Sequence, residues 1–485
     1  MQTANAMRQP VQLTRTSRAT WLRKKSRSLI DGGLWLVVAS SMLLSAIGLG
    51  LNRNANLSGG SESVFTSTAY LSTVDELRVY NRISLAICFL FLAFALTIPG
   101  SIQRIARVMK SPIIWAFCYQ LIIAWHYFSD GTPLQILKST GVWLVMMGAM
   151  AASPTMAIDQ YKQKMMLLFR MLMWLSLGIG IFLPDNAWGN DYFVSLIPGL
   201  YSRFYGVAVH ANEMGALAGI SVLMELDNLI GGTRKKWVGF LHLGLAGALL
   251  ILTQSKTSFL ACVVCAVYLA LTRRTKAIPR VVQIVLVAAS VFVFSLLLWA
   301  LVGDWVQSNK ESLSDLSGRT ELWRYYFGVG LEKPWLGYGR ELWTELQLSQ
   351  SFRYKWAAGN AHNQFLNSFL MTGFWGFVLL IVFLLALFRS RTRMDRSSRA
   401  LFTAVLIFMI IRCNSEAGFE PGDGGIQAVL VGFCLCGRRA FEAVHWMKNP
   451  RNGLSGVNPY GGVDPYRYPN PYNPATPRRT AGRPK

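Results

Sequence analysis

The sequence predicts an all-α polytopic membrane protein with about 12 transmembrane helices and one larger loop outside the membrane. The chain of 485 residues is 52% hydrophobic and only 15% charged, whereas about a quarter of the residues of a soluble protein are charged. Apolar runs of roughly 20 residues, the length that crosses a bilayer as a helix, recur along the chain. The alternating pattern of an outer-membrane β-barrel is absent from the sequence, which disfavours that class.

The predicted spans follow from the apolar runs, and their ends are approximate. Basic clusters precede the first span and follow every even-numbered span, as in 23–27 and 389–399. Because basic loops stay in the cytoplasm, both termini are predicted to be cytoplasmic. The spans are 33–51, 83–99, 111–128, 138–156, 165–183, 208–230, 237–254, 257–272, 281–303, 364–388, 400–414 and 425–440.

The formal net charge of +24 would suggest a nucleic-acid ligand in a soluble protein. Here the positive charge collects in short segments between apolar runs. We therefore interpret it as a topology signal with some attraction to anionic membrane lipid, and we predict no nucleic-acid partner.

All seven cysteines lie in apolar runs, which predicts small buried side chains and no disulfide framework. Cys262 and Cys265 form a C-x-x-C pair. No second cysteine pair and no nearby histidine completes a metal site in the sequence. We therefore predict no metal.

Polar residues concentrate on the predicted outer side, in four short stretches. Each stretch can also be explained without a role in catalysis or ligand binding. Lys256 would mark the membrane interface, but its neighbouring hydroxyls and the start of the next helix favour an anion. Arg319 would pair with Glu311 or Asp315, or donate both branches of its guanidinium to a phosphate. The stretches are Arg203 to Glu213, Thr253 to Ser258, Ser317 to Gly339 and Gly359 to Gly376.

His362 opens the last of these stretches. A helix that starts near His362 would place Leu366, Phe369 and Gly373 on the same stripe. Small residues on such a stripe allow a neighbouring helix to approach closely, so packing explains the glycines. The imidazole would then face a crevice between helices, although alone it would be an ordinary interfacial histidine.

The spacing within this stretch resembles a motif of the O-antigen ligase and polysaccharide polymerase family. His362 and Asn363 are followed by nine residues, Gly373, two residues and Gly376, which matches the pattern H-N-x9-G-x-x-G. The resemblance covers about 200–390. Three further stretches resemble the family in order and spacing: Arg203-x-x-Gly206 with Asn212, Gln254 to Ser258, and Ser317-Gly-Arg319 with Trp323, Pro334, Gly337 and Gly339.

This resemblance implies a transferase of the bacterial inner (cytoplasmic) membrane with its active site on the periplasmic side. Family members move a glycan from undecaprenyl pyrophosphate to an acceptor hydroxyl, which belongs to a glycolipid in ligases and to a growing chain in polymerases. They use no metal, nucleotide sugar or other cofactor. The implied partners are an undecaprenyl-pyrophosphate-linked glycan, an acceptor glycan or glycolipid, membrane lipid, and other envelope polysaccharide assembly proteins.

The resemblance also divides the chain around a central core. Proline and polar residues dominate the C-terminal end, which predicts a disordered tail. The parts are a basic cytoplasmic N-terminus 1–32, transmembrane helices 33–199, the O-antigen ligase-related core 200–390 with a periplasmic loop 304–361, transmembrane helices 391–448, and a cytoplasmic tail 449–485.

Site roles are carried over onto the matching positions. His362 would act as a general base towards the acceptor hydroxyl, or would position it. Arg319 would bind the pyrophosphate and offset the charge on the leaving group. Lys256 stands where the family usually has arginine. It keeps the positive charge but cannot donate two parallel hydrogen bonds to a phosphate as a guanidinium can, unless Arg203 provides that contact. Two further candidates are His210 and Asn363.

The alternative hypothesis is a polytopic polysaccharide or lipid transporter, or a flippase, without transferase activity. It predicts ionisable residues within spans and paired broken helices. A structural scaffold is a third possibility, but it gives no reason for four polar stretches to share one face. The transferase hypothesis requires Lys256, Arg319 and His362 to line one outward-facing cavity. The candidate intramembrane ionisable residues are Arg170, Glu225, Asp227 and Arg412.

Overall fold

The computed structural model describes about half of the chain. The predicted span 281–303, the N-terminus 1–32 and the tail 449–485 lie outside the described residues, as do most of 138–156 and much of the loop 304–361. Apart from single residues within them, the described ranges are 35–43, 83–97, 102–106, 111–129, 148–150, 156–189, 200–232, 236–273, 319–339, 342–343, 360–419 and 425–448.

The described residues are mostly helical, in agreement with the predicted class. A pair of two-residue antiparallel strands, β1 (Trp188–Gly189) and β2 (Arg203–Phe204), accompanies the helices. The helices used below include one single turn, α3, and a 3-10 turn at Arg391–Arg393 follows α8. They are α1 (Ile113–Ser129), α2 (Ile158–Phe182), α3 (Pro184–Ala187), α4 (Ala211–Ile230), α5 (Lys236–Leu252), α6 (Lys256–Thr272), α7 (Arg319–Glu332), α8 (Gln364–Ser390), α9 (Arg396–Cys413) and α10 (Ile426–Lys448).

The chain divides into two units, Met1–Ala440 and Phe441–Lys485. All side-chain contacts described below belong to the first unit. In the second unit the structure describes the helical backbone as far as Lys448. The division at 199, 390 and 448 proposed from the sequence stays a prediction.

Among the described residues, two helices are long and apolar enough to cross a membrane, Ile158–Phe182 and Gln364–Arg393. Several large apolar side chains on the helices are exposed, among them Phe182 at 81% and Trp237 at 70%. Such exposure suits a surface that faces lipid instead of water. The apolar helices thus indicate a membrane protein, and the number of about 12 spans stays a prediction. Shorter apolar helices are Ile113–His126, Lys236–Leu252, Lys256–Thr272 and Ile426–Arg438.

Helix α2 begins at Ile158, earlier than the predicted start at 165. The charged residues near its start obscure the apolar pattern, but they are paired in the fold. Lys162 forms a salt bridge with the buried Asp227, and Arg170 donates two hydrogen bonds to Glu225, of 2.5 and 2.8 Å. A buried charge persists in an apolar setting when a partner neutralises it.

Close packing between α4 and its neighbours positions the polar ends of three helices side by side. A Cβ atom at Gly215 would lie 2.7 Å from the Cβ of Ser255, at the start of α6. A Cβ atom at Gly219, one turn later, would lie 2.7 Å from the ring of Phe408 in α9. Small residues four apart let helix backbones approach in this way. The start of α4, the start of α6 and the end of α9 are therefore neighbours.

Helix α8 is interrupted at Gly373, which corrects the predicted continuous stripe from His362. The helix begins at Gln364, and Gly373 has φ 63° and ψ −162°, a backbone conformation that only glycine adopts without strain. A Cβ atom there would lie 2.3 Å from the carbonyl carbon of Trp335. Gly373 therefore permits an approach of backbone to backbone and does not contribute to a regular helical packing stripe.

The turn that follows α7 fills this interruption. The backbone N–H of Tyr338 donates to the carbonyl of Leu370 at 2.8 Å, and that of Phe374 donates to the carbonyl of Pro334 at 2.7 Å. Backbone groups freed by the break in the helix thus find partners in the turn, as an apolar environment requires. The Pro334–Gly339 stretch and the Gly373 stretch, two of the family-like motifs, interlock.

Candidate functional site

The carboxylate of Glu416 lies between residues from three other segments of the chain. Its Oε1 accepts hydrogen bonds from Asn212 Nδ2 at 2.6 Å and from Arg319 Nη2 at 3.1 Å. Its Oε2 lies 3.6 Å from Nδ1 of His362. Arg319 also donates from Nη1 to the carbonyl of Ser415 at 2.5 Å. Arg319 and His362, both expected from the sequence, therefore lie on one carboxylate.

Glu416 is held in its charged form by these neighbours. Burial alone would raise the pKa of the Glu416 carboxyl. The neighbouring imidazole of His362 and the positive charges of Arg319 and Arg412 outweigh burial and lower the pKa to about 2. Glu416 is thus a carboxylate over the whole physiological range of pH.

His362 occupies an unusual backbone conformation between a loop and α8. Its φ is 47°, a region that non-glycine residues rarely adopt and that is often found at functional sites. Its backbone N–H donates to Asn360 Oδ1 at 2.8 Å, and the side chain is 17% exposed. The loop therefore holds the imidazole next to Glu416 and leaves part of it accessible.

Asn363 fixes the start of α8. Its Oδ1 accepts hydrogen bonds from two backbone N–H groups of the first helical turn, at 3.0 and 3.1 Å, as an N-cap residue does. Its Nδ2 donates to the carbonyl of Asn414 at 3.2 Å, two residues before Glu416. The described contacts of Asn363 therefore connect the His362 loop to the Glu416 segment.

Lys256 is the first residue of α6, directly after the turn predicted from the sequence. Burial, and then the nearby positive charges of Arg203 and Arg319, lower the pKa of its ammonium group. Its neighbour Thr257 accepts a hydrogen bond of 2.8 Å from Ser415 Oγ. Lys256 thus belongs to the same group of cations, and the turn is tied to the segment that carries Glu416.

Arg203 is 7% exposed and uses its guanidinium within the protein. Its Nε donates to the carbonyl of Thr253 at 3.0 Å, and its Nη2 donates to Asn212 Oδ1 at 2.5 Å. Since the other end of that amide donates to Glu416, Arg203 orients Asn212 towards the carboxylate. Two of its five N–H groups are used in this way.

His210 caps α4. Its Nδ1 accepts a hydrogen bond of 3.1 Å from the backbone N–H of Asn212, and its ring stacks on Tyr205 with 5.6 Å between the ring centres. These contacts explain a histidine at this position, because they fix the backbone at the start of α4. They bring it to the helix that delivers Asn212 to the site.

Sequence reasoning missed Glu416 and the role of Arg412. Arg412 is 5% exposed and its Nη2 donates to the backbone carbonyl of Asn212 at 2.8 Å. The sequence alone presents Arg412 as an ionisable residue of a predicted span. The available signal was an acidic residue in the short gap 415–424, on the same predicted side as the other polar stretches.

Residues 241–381 match the family model described as O-antigen ligase. This part of the chain is thus similar to the O-antigen ligase family. It contains Lys256, Arg319 and His362, whereas Glu416 lies after its end. No curated protein matches the chain.

The family match confirms the resemblance found in the motifs, over a shorter range than the expected 200–390. At the level of the family, it supports a function in glycan transfer at a membrane. The apolar helices agree with that location. The outward-facing cavity expected between Lys256, Arg319 and His362 stays a prediction.

Proposed function

We propose that the protein is a glycosyltransferase that moves a polysaccharide or repeat unit from an undecaprenyl-pyrophosphate carrier to an acceptor hydroxyl, as an O-antigen ligase or exopolysaccharide polymerase does. The observation that carries this proposal is the meeting of Arg319, Asn212 and His362 on the carboxylate of Glu416. A cation suited to a diphosphate and a base suited to a hydroxyl thereby lie together. The match to the O-antigen ligase family supports the same class of reaction.

His362 would accept the proton of the acceptor hydroxyl as that oxygen attacks the anomeric carbon of the carrier-bound sugar. The new glycosidic C–O bond forms, and the bond from the anomeric carbon to the diphosphate oxygen breaks. Its electron pair leaves on the undecaprenyl diphosphate. The carboxylate of Glu416, 3.6 Å from Nδ1, orients the imidazole and offsets the charge that the imidazole gains with the transferred proton.

Arg319 and Lys256 would stabilise the charge that develops on the departing diphosphate. Such electrostatic stabilisation is commonly the largest single contribution to catalysis. Two N–H groups of Arg319 are used on Glu416 and Ser415, out of the five that a guanidinium carries. Arg203 then acts as a positioning residue, because it orients Asn212 and the turn before Lys256.

We place this reaction on the periplasmic side of a bacterial inner membrane, with both termini in the cytoplasm and without a metal or other cofactor. The basic segments support this orientation, since they would lie on the cytoplasmic side. The acceptor would be a glycan or glycolipid. Membrane lipid and other envelope polysaccharide assembly proteins would be the remaining partners.

A transporter is the less favoured hypothesis. Among the described residues, the ionisable groups that it would use for transport have partners: Arg170 with Glu225, and Asp227 with both Lys162 and Arg273. Helix α8 is broken, but protein backbone fills the break, whereas the broken helices of transporters line a substrate cavity.

The test is complementation of a strain that lacks the gene, with His362→Ala or Arg319→Ala. Surface glycan and the undecaprenyl-pyrophosphate-linked intermediate are both measured. We expect both variants to lose surface glycan and to accumulate the intermediate on the outer face. Arg324→Ala is the matched control, because Arg324 lies on the same helix as Arg319 and is exposed.

Full rescue by both His362→Ala and Arg319→Ala would refute the site assignment. Accumulation of the intermediate on the inner face, in place of the outer, would instead support a flippase. The glycan and acceptor recovered from the wild-type strain distinguish a ligase from a polymerase.

A further inference from the structure

Five arginines surround the connection between α8 and α9, at the opposite end of this helix pair from His362 and Glu416. Within 389–399 they are accompanied by a single acidic residue, Asp395. The five are Arg389, Arg391, Arg393, Arg396 and Arg399. No role in the proposed transferase reaction uses this cluster, which we call the arginine turn.

The arginine turn has a defined conformation. A 3-10 turn covers Arg391–Arg393, and the following Met394 is only 3% exposed. Oδ2 of Asp395 accepts the backbone N–H groups of Ser397 and Ser398, at 2.9 and 3.1 Å, and caps α9. The one carboxylate is therefore engaged by the helix, and the turn presents a fixed excess of positive charge.

The arginines lie next to an apolar surface. Arg389, Arg396 and Arg399 are exposed, and the guanidinium carbon of Arg391 lies 3.7 Å from the centre of the Phe388 ring. Phe388 is 40% exposed. One turn further into α8, Leu385 is 61% exposed. A cationic rim thus borders a lipid-facing apolar side of the same helix.

From this arrangement we infer that the arginine turn is a binding site for the head group of an anionic phospholipid. The phosphate would contact the guanidinium groups while the acyl chains lie along Leu385 and Phe388. Membrane topology needs only positive charge and is served equally by lysine. All five cations here are arginine, whose planar fork suits a phosphate ester.

The test uses the purified full-length protein and native mass spectrometry of its lipid adducts. Phosphatidylglycerol and phosphatidylcholine are offered in equal amounts. We expect the wild type to retain phosphatidylglycerol preferentially. The double variant Arg389→Gln, Arg396→Gln should reduce that preference about tenfold, because each cation near an anionic surface contributes to binding. Arg389→Lys with Arg396→Lys keeps the charge and should keep part of the preference.

The matched control is Arg324→Gln with Lys333→Gln, which removes two exposed cations from α7 and its end. It should bind lipid as the wild type does. An unchanged preference in the Arg389→Gln, Arg396→Gln variant overturns the inference. Equal loss in the control also overturns it, because total charge alone would then explain binding. Displacement of phosphatidylglycerol by equimolar inorganic phosphate would show that free phosphate, and not a lipid, is the ligand.

The variants are compared only where the thermal unfolding midpoint in phosphatidylcholine equals that of the wild type. If the glutamine variant fails this criterion, the lysine variant and single Arg396→Gln provide the comparison. A phosphatidylglycerol preference equal to that of the wild type in both would then overturn the inference.

Discussion

Glu416 illustrates how a single residue organises the candidate site. It receives hydrogen bonds from Asn212 and Arg319 and lies beside His362. Its partners come from segments more than 50 residues away along the chain, so no local pattern could have predicted them. Arg319, Lys256 and His362 were found because each stands within a short motif of its own. Glu416 has a fold-dependent role and no such motif.

Replacement of Glu416 by glutamine should reduce glycan transfer by at least about 100-fold, the lower range for loss of acid–base assistance. The amide can still accept a hydrogen bond, but it carries no charge to offset the proton that His362 takes from the acceptor. The rate of product formation in membranes that contain the lipid-linked donor measures this effect. Asp185→Asn, which removes an exposed carboxylate, should keep the wild-type rate. A Glu416→Gln variant as active as the wild type would remove Glu416 from the mechanism.

The lowered pKa of Glu416 predicts a dependence of stability on acid. The folded state holds this carboxyl at a pKa of about 2, against an ordinary value of 4.5. Its contribution is therefore complete above about pH 4.5 and is lost as the pH falls towards 2. The difference in unfolding midpoint between the wild type and Glu416→Gln should be constant from pH 5 to 7 and shrink at pH 3. A difference that persists unchanged at pH 3 would contradict the low pKa.

Lys256 stands where the resemblance to the O-antigen ligase family implies an arginine, and its role can be tested by introducing that residue. Lys256→Arg should keep transfer activity. Lys256→Met should weaken binding of the diphosphate carrier about tenfold, because one charge-assisted contact is lost. The carrier concentration at half-maximal rate measures this. Equal behaviour of the methionine variant and the wild type would exclude contact with the diphosphate.

At the scale of elements, the interruption of α8 gives the glycine motif a different meaning from the one expected. The spacing predicted a stripe of small residues for helix packing. The fold instead uses Gly373 to admit the backbone of the turn after α7. Sequence periodicity could not reveal this, because a break filled by a distant segment leaves the apolar character of the helix unchanged.

Gly373→Ala should destabilise the protein by more than about 1 kcal/mol, since alanine is strained at this backbone conformation and its Cβ would clash with Trp335. Gly328→Ala is the matched control: it lies in α7, and a Cβ atom there would meet nothing within 4 Å. Alanine favours a helix over glycine by about 1 kcal/mol, so the control should be neutral or stabilising. Thermal unfolding in detergent compares them, and an equal effect of both substitutions would exclude the interlock.

For the whole molecule, the apolar runs predicted the helices of the described residues well. Helices α4, α5 and α6 start at 211, 236 and 256, within three residues of the predicted span starts at 208, 237 and 257. The start of α2 was predicted too late because Lys162 and Lys164 interrupt the hydropathy pattern, and only the fold shows that Lys162 pairs with Asp227. Hydropathy reports the composition of a helix but not the neutralisation of its charges.

The orientation proposed above predicts which helix ends are accessible from outside the cell. Lys333→Cys, at the end of α7, should react with a membrane-impermeant maleimide in intact spheroplasts. Arg396→Cys, in the arginine turn, should react only after permeabilisation. Background labelling should be low, because six of the seven native cysteines are buried and Cys118 is partly buried. The reverse pattern would invert the proposed topology.

The bond between Arg319 and Glu416 also has a consequence for which anions the proposed site would prefer. Glu416 serves there as a built-in counterion, so the cation cluster is partly neutralised before any substrate arrives. A small competing anion such as inorganic phosphate then gains less from contact with Arg319 than it would at an unpaired guanidinium. A diphosphate ester brings more charge and a lipid anchor, so it is better able to compete with the resident carboxylate.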